Sequence, residues 1–196
     1  MRRGGTARVA IAALTTAALG LAGCGGGVDW STRNGTPGPP AASLTAGVGT
    51  TFDDPQGTYT LTIDPTWTEH SGAIVAEIEA WSVGPASNGF TPNVNVLTQS
   101  APGVDLTEYL AISVRNGPRL MSDFQLVHSQ VLTGSAGQPL AEMEYTAGAS
   151  GRVVHFLGVV ALRNGRAIVA TLTTTDTSFA AIRARVEPFL VTLQAR

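Results

Sequence analysis

Alternation of apolar and polar residues marks strands along most of the chain beyond Thr50. "TTF", the turn "DDPQG" and "TYTLTI" predict an opening hairpin, with Tyr59, Leu61 and Ile63 on one side and Thr60 and Thr62 on the other. "AIVAEIEAWS" sends Ile74, Ala76, Ile78 and Ala80 one way and Val75, Glu77, Glu79 and Trp81 the other. "NVNVLTQS", "FQLVHSQVL", "QPLAEMEYT" and "RVVHFLGVVAL" read as further strands, the last three separated by the turns "TGSAG" and "AGASG". In "VVALRNGRAIVATL" the pair Asn164-Gly165 between apolar runs predicts a two-residue type I′ hairpin. Placing Arg163 opposite Arg166 puts Phe156, Gly158, Val160 and Leu162 with Ala167 and Val169. It puts Leu157, Val159 and Ala161 with Ile168, Ala170 and Leu172. Both faces of that pair are apolar, so both need a cover.

Helical spacing occurs twice. In "DLTEYLAISVRNG" Asp105 and Glu108 have the spacing of a capping box, Leu106, Tyr109, Leu110 and Val114 form a stripe, and Asn116-Gly117 supplies a stop. "SFAAIRARVEPFLVTLQ" carries Phe179, Ile182, Val186, Phe189 and Leu190 in stripe, with a kink expected at Pro188, which lacks an N–H. The expectation is an α+β domain: a mostly antiparallel central sheet with the C-terminal helix on one face and the helix near 106–115 on the other.

Before Thr50 the pattern changes. "MRRGGTAR" is a positive leader, "VAIAALTTAALGLAG" an apolar stretch short for a membrane helix, and "LAGC" ends it at Cys24, the sole cysteine. That arrangement resembles the bacterial lipobox, which implies a signal peptide over 1–23, cleavage before Cys24 and acylation of its sulfur. At roughly 0.8 kcal/mol per buried CH₂, two or three acyl chains hold a protein on the outer face of the cell membrane. Residues 24–49 continue as a Gly/Pro/Ser/Thr linker without periodicity, with a span of about 25–30 Å as a flexible chain. Residues 50–196 then form a single domain.

The twelve basic residues are all arginine. Three of them, Arg2, Arg3 and Arg8, lie in the leader, leaving nine against fourteen acidic residues. An acidic balance argues against a nucleic-acid partner. His70, His128 and His155 fit no metal-ligand spacing, and G-x-S-x-G, P-loop and G-x-G-x-x-G motifs are absent from the sequence. No catalytic residue, metal or cofactor is expected, although a serine hydrolase assembled from distant residues stays open as an alternative. His128 and His155 read as hydrogen-bonded histidines of strands. In "TIDPTWTEH", Asp64 and Pro65 mark a strand end, Trp67 tucks back onto the core, and Glu69 and His70 follow in an exposed turn.

Two groups of residues are candidates for binding. Glu77 with Glu79, and Glu142 with Glu144, stand two apart on their strands; as neighbours the two strands would present a four-carboxylate patch for a cation or basic partner, and otherwise they read as a solvated sheet edge. Trp67, Trp81, Phe90 and Tyr145 could wall an apolar pocket or serve as core.

"LAGC" with its linker, "TYTLTIDPTW", "NVNV", "DLTEYL" and "LRNGRAIVATLTTTDTSF" occur in an order that resembles the LpqN-type lipoproteins of mycobacteria and their relatives, which have a PsbP-like domain. The resemblance covers about residues 50–194. It implies an α/β/α sandwich and an envelope-anchored, non-catalytic binding or accessory module whose partner is an envelope lipid, glycolipid or protein. The alternatives are a hydrolase of envelope esters or glycans, and a structural envelope protein without a small ligand.

Overall fold

The computed structural model describes residues 45–70, 78–87, 89–149 and 151–196. The signal segment, Cys24, most of the linker and Glu77 lie outside the described residues. The opening hairpin forms as its alternation predicts: β1 (Thr50–Asp53) runs antiparallel to β2 (Tyr59–Ile63), with Phe52 opposite Leu61. Asp54 holds the connection, accepting from Thr58 N at 2.9 Å and from its hydroxyl at 2.6 Å, while Gly57 takes the left-handed conformation (φ 68°) that a side chain would resist.

The order continues with β3 (Thr68–Glu69), β4 (Glu79–Ser82), β5 (Asn93–Ser100), α1 (Leu106–Leu120), β6 (Gln125–Thr133), β7 (Pro139–Ala149), β8 (Arg152–Arg163), β9 (Arg166–Thr175), α2 (Asp176–Leu190) and β10 (Gln194–Ala195). Seven strands build one sheet in the order β3-β4-β5-β9-β8-β7-β6, and β1-β2-β10 build a second. Every pairing is antiparallel. The β8–β9 hairpin has Arg163 opposite Arg166 and Leu162 opposite Ala167, with Asn164 at φ 51° and Gly165 at φ 72°, the positive pair a type I′ turn demands.

Alternate residues of β8 and β9 enter different clusters. Leu157, Val159, Ala161, Ile168, Ala170 and Leu172 pack with Phe179, Val186, Phe189 and Leu190 of α2 and with Tyr59 and Leu61 of the small sheet. Ala141, Val160 and Ala167 pack instead with Leu110 of α1, flanked by Tyr109, Leu106 and Val169. Leu157 and Leu172 are wholly buried. Covering such a side chain contributes roughly 1.5–3 kcal/mol, which fixes the strand parity against a one-residue slip.

Four elements differ from the sequence-based expectation. Helix α1 begins as predicted, the Asp105 carboxylate accepting from Glu108 N at 2.8 Å, but it does not stop at Asn116-Gly117. It runs on through Pro118 to Leu120, and a Cβ on Gly117 would come within 2.5 Å of the Phe124 ring, so that glycine admits an aromatic instead of ending a helix. Helix α2 starts earlier than expected and ends at Leu190; Gln194 and Ala195 leave the helical pattern to pair with Thr60 and Tyr59. Glu69, expected in an exposed turn with His70, instead joins Thr68 in an edge strand opposite Trp81 and Ser82. Of the run 73–82, the strand itself covers Glu79–Ser82, and 71–77 lie outside the described residues.

Candidate functional site

Glu79 does not meet Glu142 and Glu144. Between β4, which carries Glu79, and β7, which carries Glu142 and Glu144, stand β5, β9 and β8. At about 4.8 Å per strand that is a separation of roughly 19 Å, so among the described residues Glu79 forms no shared patch with Glu142 and Glu144. Nor are Glu142 and Glu144 a solvated edge: β7 is flanked by β6 and β8, and the two residues are 0% and 6% exposed.

These two carboxylates anchor a polar network on the α2 side of the sheet. Strand alternation places Glu144 opposite His128 on β6 and Leu157 on β8, and Glu142 opposite Gln130 and Val159. Glu142 Oε1 accepts from Gln130 Nε2 at 3.0 Å and lies 2.7 Å from His128 Nε2. His155 Nε2 lies 2.9 Å from Glu144 Oε1, and its Nδ1 lies 2.9 Å from Asp176 Oδ1 in the first turn of α2. The His155 ring stacks on Phe179. Arg183, two turns along α2, donates to Glu144 Oε2 and, at 2.8 and 3.1 Å, to both oxygens of Glu187. The Glu187 hydrogen bonds, set against partial desolvation, hold its guanidinium above the ordinary arginine value, with Glu142 and Glu144 adding to the effect.

Buried carboxylates survive only when paired, and here one helical arginine and two strand histidines supply the partners. The consequence is structural: α2 is joined to β6, β7 and β8 by directed bonds where the apolar core runs out. His155 has carboxylates at both ring nitrogens, so neither faces a nucleophile. A different contact brings a histidine to a serine: His70 Nε2 lies 2.8 Å from Ser82 Oγ across the β3–β4 pair. Among the described residues no group of three or more His, Cys, Asp or Glu is arranged to hold a metal.

The four aromatic candidates divide two and two. Trp67 packs edge-on to Phe189 (5.2 Å between centroids) and Trp81 edge-on to Phe52 (5.1 Å), both in the main core. Phe90 and Tyr145 belong to a second cluster with Val154 and Phe156, where Tyr145 stacks on Phe156 at 4.8 Å. All four are buried in the described interior, in two separate clusters. The described clefts lie elsewhere and are polar: one of about 370 Å³ around Asp54, Tyr59, Glu79 and Arg166, and one of about 300 Å³ around Thr58, Arg163, Arg166 and Arg196.

Sequence reading missed the buried network although a signal existed. Both faces of β8 read as apolar, so acidic residues on a strand paired with β8 had to lie against a covered face. Recognising it required knowing that β7 is that strand.

The architecture defines an α+β domain with a PsbP/LpqN-like fold. Solved structures similar to it include cyanobacterial PsbP (CyanoP) from Synechocystis (TM-score 0.54, 15% identity, 81% of this chain and 100% of that one) and LpqN of Mycobacterium tuberculosis, involved in cell envelope biogenesis (0.51, 13%, 74% and 89%). A protein of unknown function from Pseudomonas aeruginosa is similar as well (0.55, 18%, 76% and 99%). At these identities the likeness is one of fold. No family model matches the chain, and neither does any curated protein.

Proposed function

We propose that this is an exported lipoprotein, acylated at Cys24 and held on the outer face of the cell membrane, whose domain is a non-catalytic binding or accessory module of the cell envelope. The observation that carries this reading is "LAGC" at the end of a charged-then-apolar leader, followed by a Gly/Pro linker. The fold shared with LpqN, itself involved in cell envelope biogenesis, supports it. The domain is an α/β/α sandwich in this reading, since α1 and α2 contact alternate residues of the same strands. Its partner is an envelope lipid, glycolipid or protein, taken up within reach of the linker. Apolar contact contributes roughly 25 cal/mol per Å² buried.

Replacing Cys24 with Ala should move the protein from the membrane to the soluble fraction, and unchanged retention sinks the anchor. Native mass spectrometry of protein from its own membrane tests the module: the absence of both a co-purifying lipid and a captured envelope protein would count against binding.

One contact favours a second reading, a hydrolase of envelope esters, namely Ser82 Oγ at 2.8 Å from His70 Nε2. A serine-directed activity probe decides it. Labelling that disappears in Ser82→Ala supports the hydrolase, and an unlabelled wild-type protein rejects it.

A further inference from the structure

We infer that the tip of the β8–β9 hairpin and the end of the small sheet form a binding site for a phosphate group. Three of the eight described arginines, Arg163, Arg166 and Arg196, line one cleft of about 300 Å³ together with Thr58 and Asn164, and no carboxylate side chain lines it. The gathering is unexpected in a chain whose acidic residues outnumber its basic ones.

Strand parity aims the first two. Arg163 and Arg166 are direct cross-strand partners beside the turn, in phase with Ala161 and Ile168, so both project to the side where β2 and β10 lie. Like charges directly opposite one another destabilise a strand pair. No close partner offsets this: both are exposed, and neither side chain has a hydrogen bond or ion pair with any described residue. Arg196 differs, its guanidinium standing 2.7 Å from Asp53 at the rim. In the adjoining cleft Arg166 shares the lining with Asp54 and Glu79, but Asp54 is bonded to Thr58. Two unpaired guanidinium groups beside the hairpin turn, with an asparagine amide next to them, match a phosphate, which arginine holds through paired N–H donors. Binding it turns the repulsion of the empty site into two attractions.

The phosphate could belong to a soluble ester or to a lipid headgroup, and the site stands whether or not Cys24 is acylated. The test uses the full chain in detergent, titrated at constant ionic strength with sn-glycerol 3-phosphate, and in parallel incubated with phosphatidylglycerol or phosphatidylcholine vesicles. Arg163→Gln/Arg166→Gln is compared with wild type and with the control Arg185→Gln. The site predicts saturable binding that weakens at least tenfold in the double variant but not in the control. It also predicts that the ligand-free double variant melts no lower than wild type, since it loses the repulsion between Arg163 and Arg166 and no hydrogen bond or ion pair with a described residue. Preference for phosphatidylglycerol vesicles that vanishes in the double variant assigns the phosphate to a headgroup; ester binding without that preference assigns it to a soluble ester. Absence of both, binding equal in wild type and double variant, or a lower Tm of the ligand-free double variant overturns the proposal.

Discussion

Arg183 stands among three carboxylates, bonded to Glu144 and Glu187 and 3.7 Å from Glu142. Removing it leaves Glu142 and Glu144 buried with only the histidines and the Gln130 amide as partners. Arg183→Met should therefore cost about 2–4 kcal/mol in urea denaturation, toward the lower part of the usual range because the side chain is 27% exposed. Adding Glu144→Gln should restore part of the loss, and additive effects would mean the two residues do not interact as described. Gly117 gives a second residue-scale prediction. Alanine improves helix propensity by up to about 1 kcal/mol, but its Cβ would collide with the Phe124 ring, which is itself packed on Tyr145. Gly117→Ala should lower stability by about 1–2 kcal/mol net, and a rise would show that the ring moves freely.

Among the elements, the β8–β9 hairpin is the most legible in the sequence, because Asn164-Gly165 specifies turn type and register together and thereby the face of every residue on both strands. Gly165→Ala should cost about 1–2 kcal/mol by thermal denaturation, the penalty of a side chain at φ 72°, since its nearest neighbour, Pro102, leaves ordinary room. The start of α1 is legible too: Asp105 is a local signal with a local partner, and Asp105→Ala should remove about 1 kcal/mol. What alternation could not convey is which strand lies beside which. Glu79 and Glu142 have the same local appearance, yet one sits on a strand near the β3 edge and the other is sealed under α2. The pairing of β5 with β9 joins Asn93 to Thr173 across most of the domain, and no nearby residue announces it. Edge strand β3, two residues long, is too short to carry a period.

For the whole molecule, the alkaline limit of stability is set by tyrosine. The sequence contains no lysine, and all three tyrosines, Tyr59, Tyr109 and Tyr145, have their phenols shifted upward by burial. Tyr109 is pushed up to about 12, burial outweighing the hydrogen bonds from Ser113 and Gln99. Because the folded protein holds these protons more tightly than the unfolded chain, their contribution is fully present below about pH 10 and is lost as pH rises through the folded values. A spectrophotometric titration should therefore show no tyrosinate near pH 10 and a cooperative rise, coincident with unfolding, at higher pH. An ordinary tyrosine transition centred near 10 would contradict the burial of all three.

The pairing of β10 with β2 carries a kinetic consequence. Thr60 waits for Gln194, and Tyr59 for Ala195, while Arg196 N reaches Thr58 O at 2.8 Å, so the small sheet that lies against the core is closed by a strand from the far side of the large sheet's sequence. Contacts this distant in sequence form late and slow the search for the native state. A nascent chain emerging from the ribosome thus cannot close the small sheet until β10 is free, more than a hundred residues after β2 has been made.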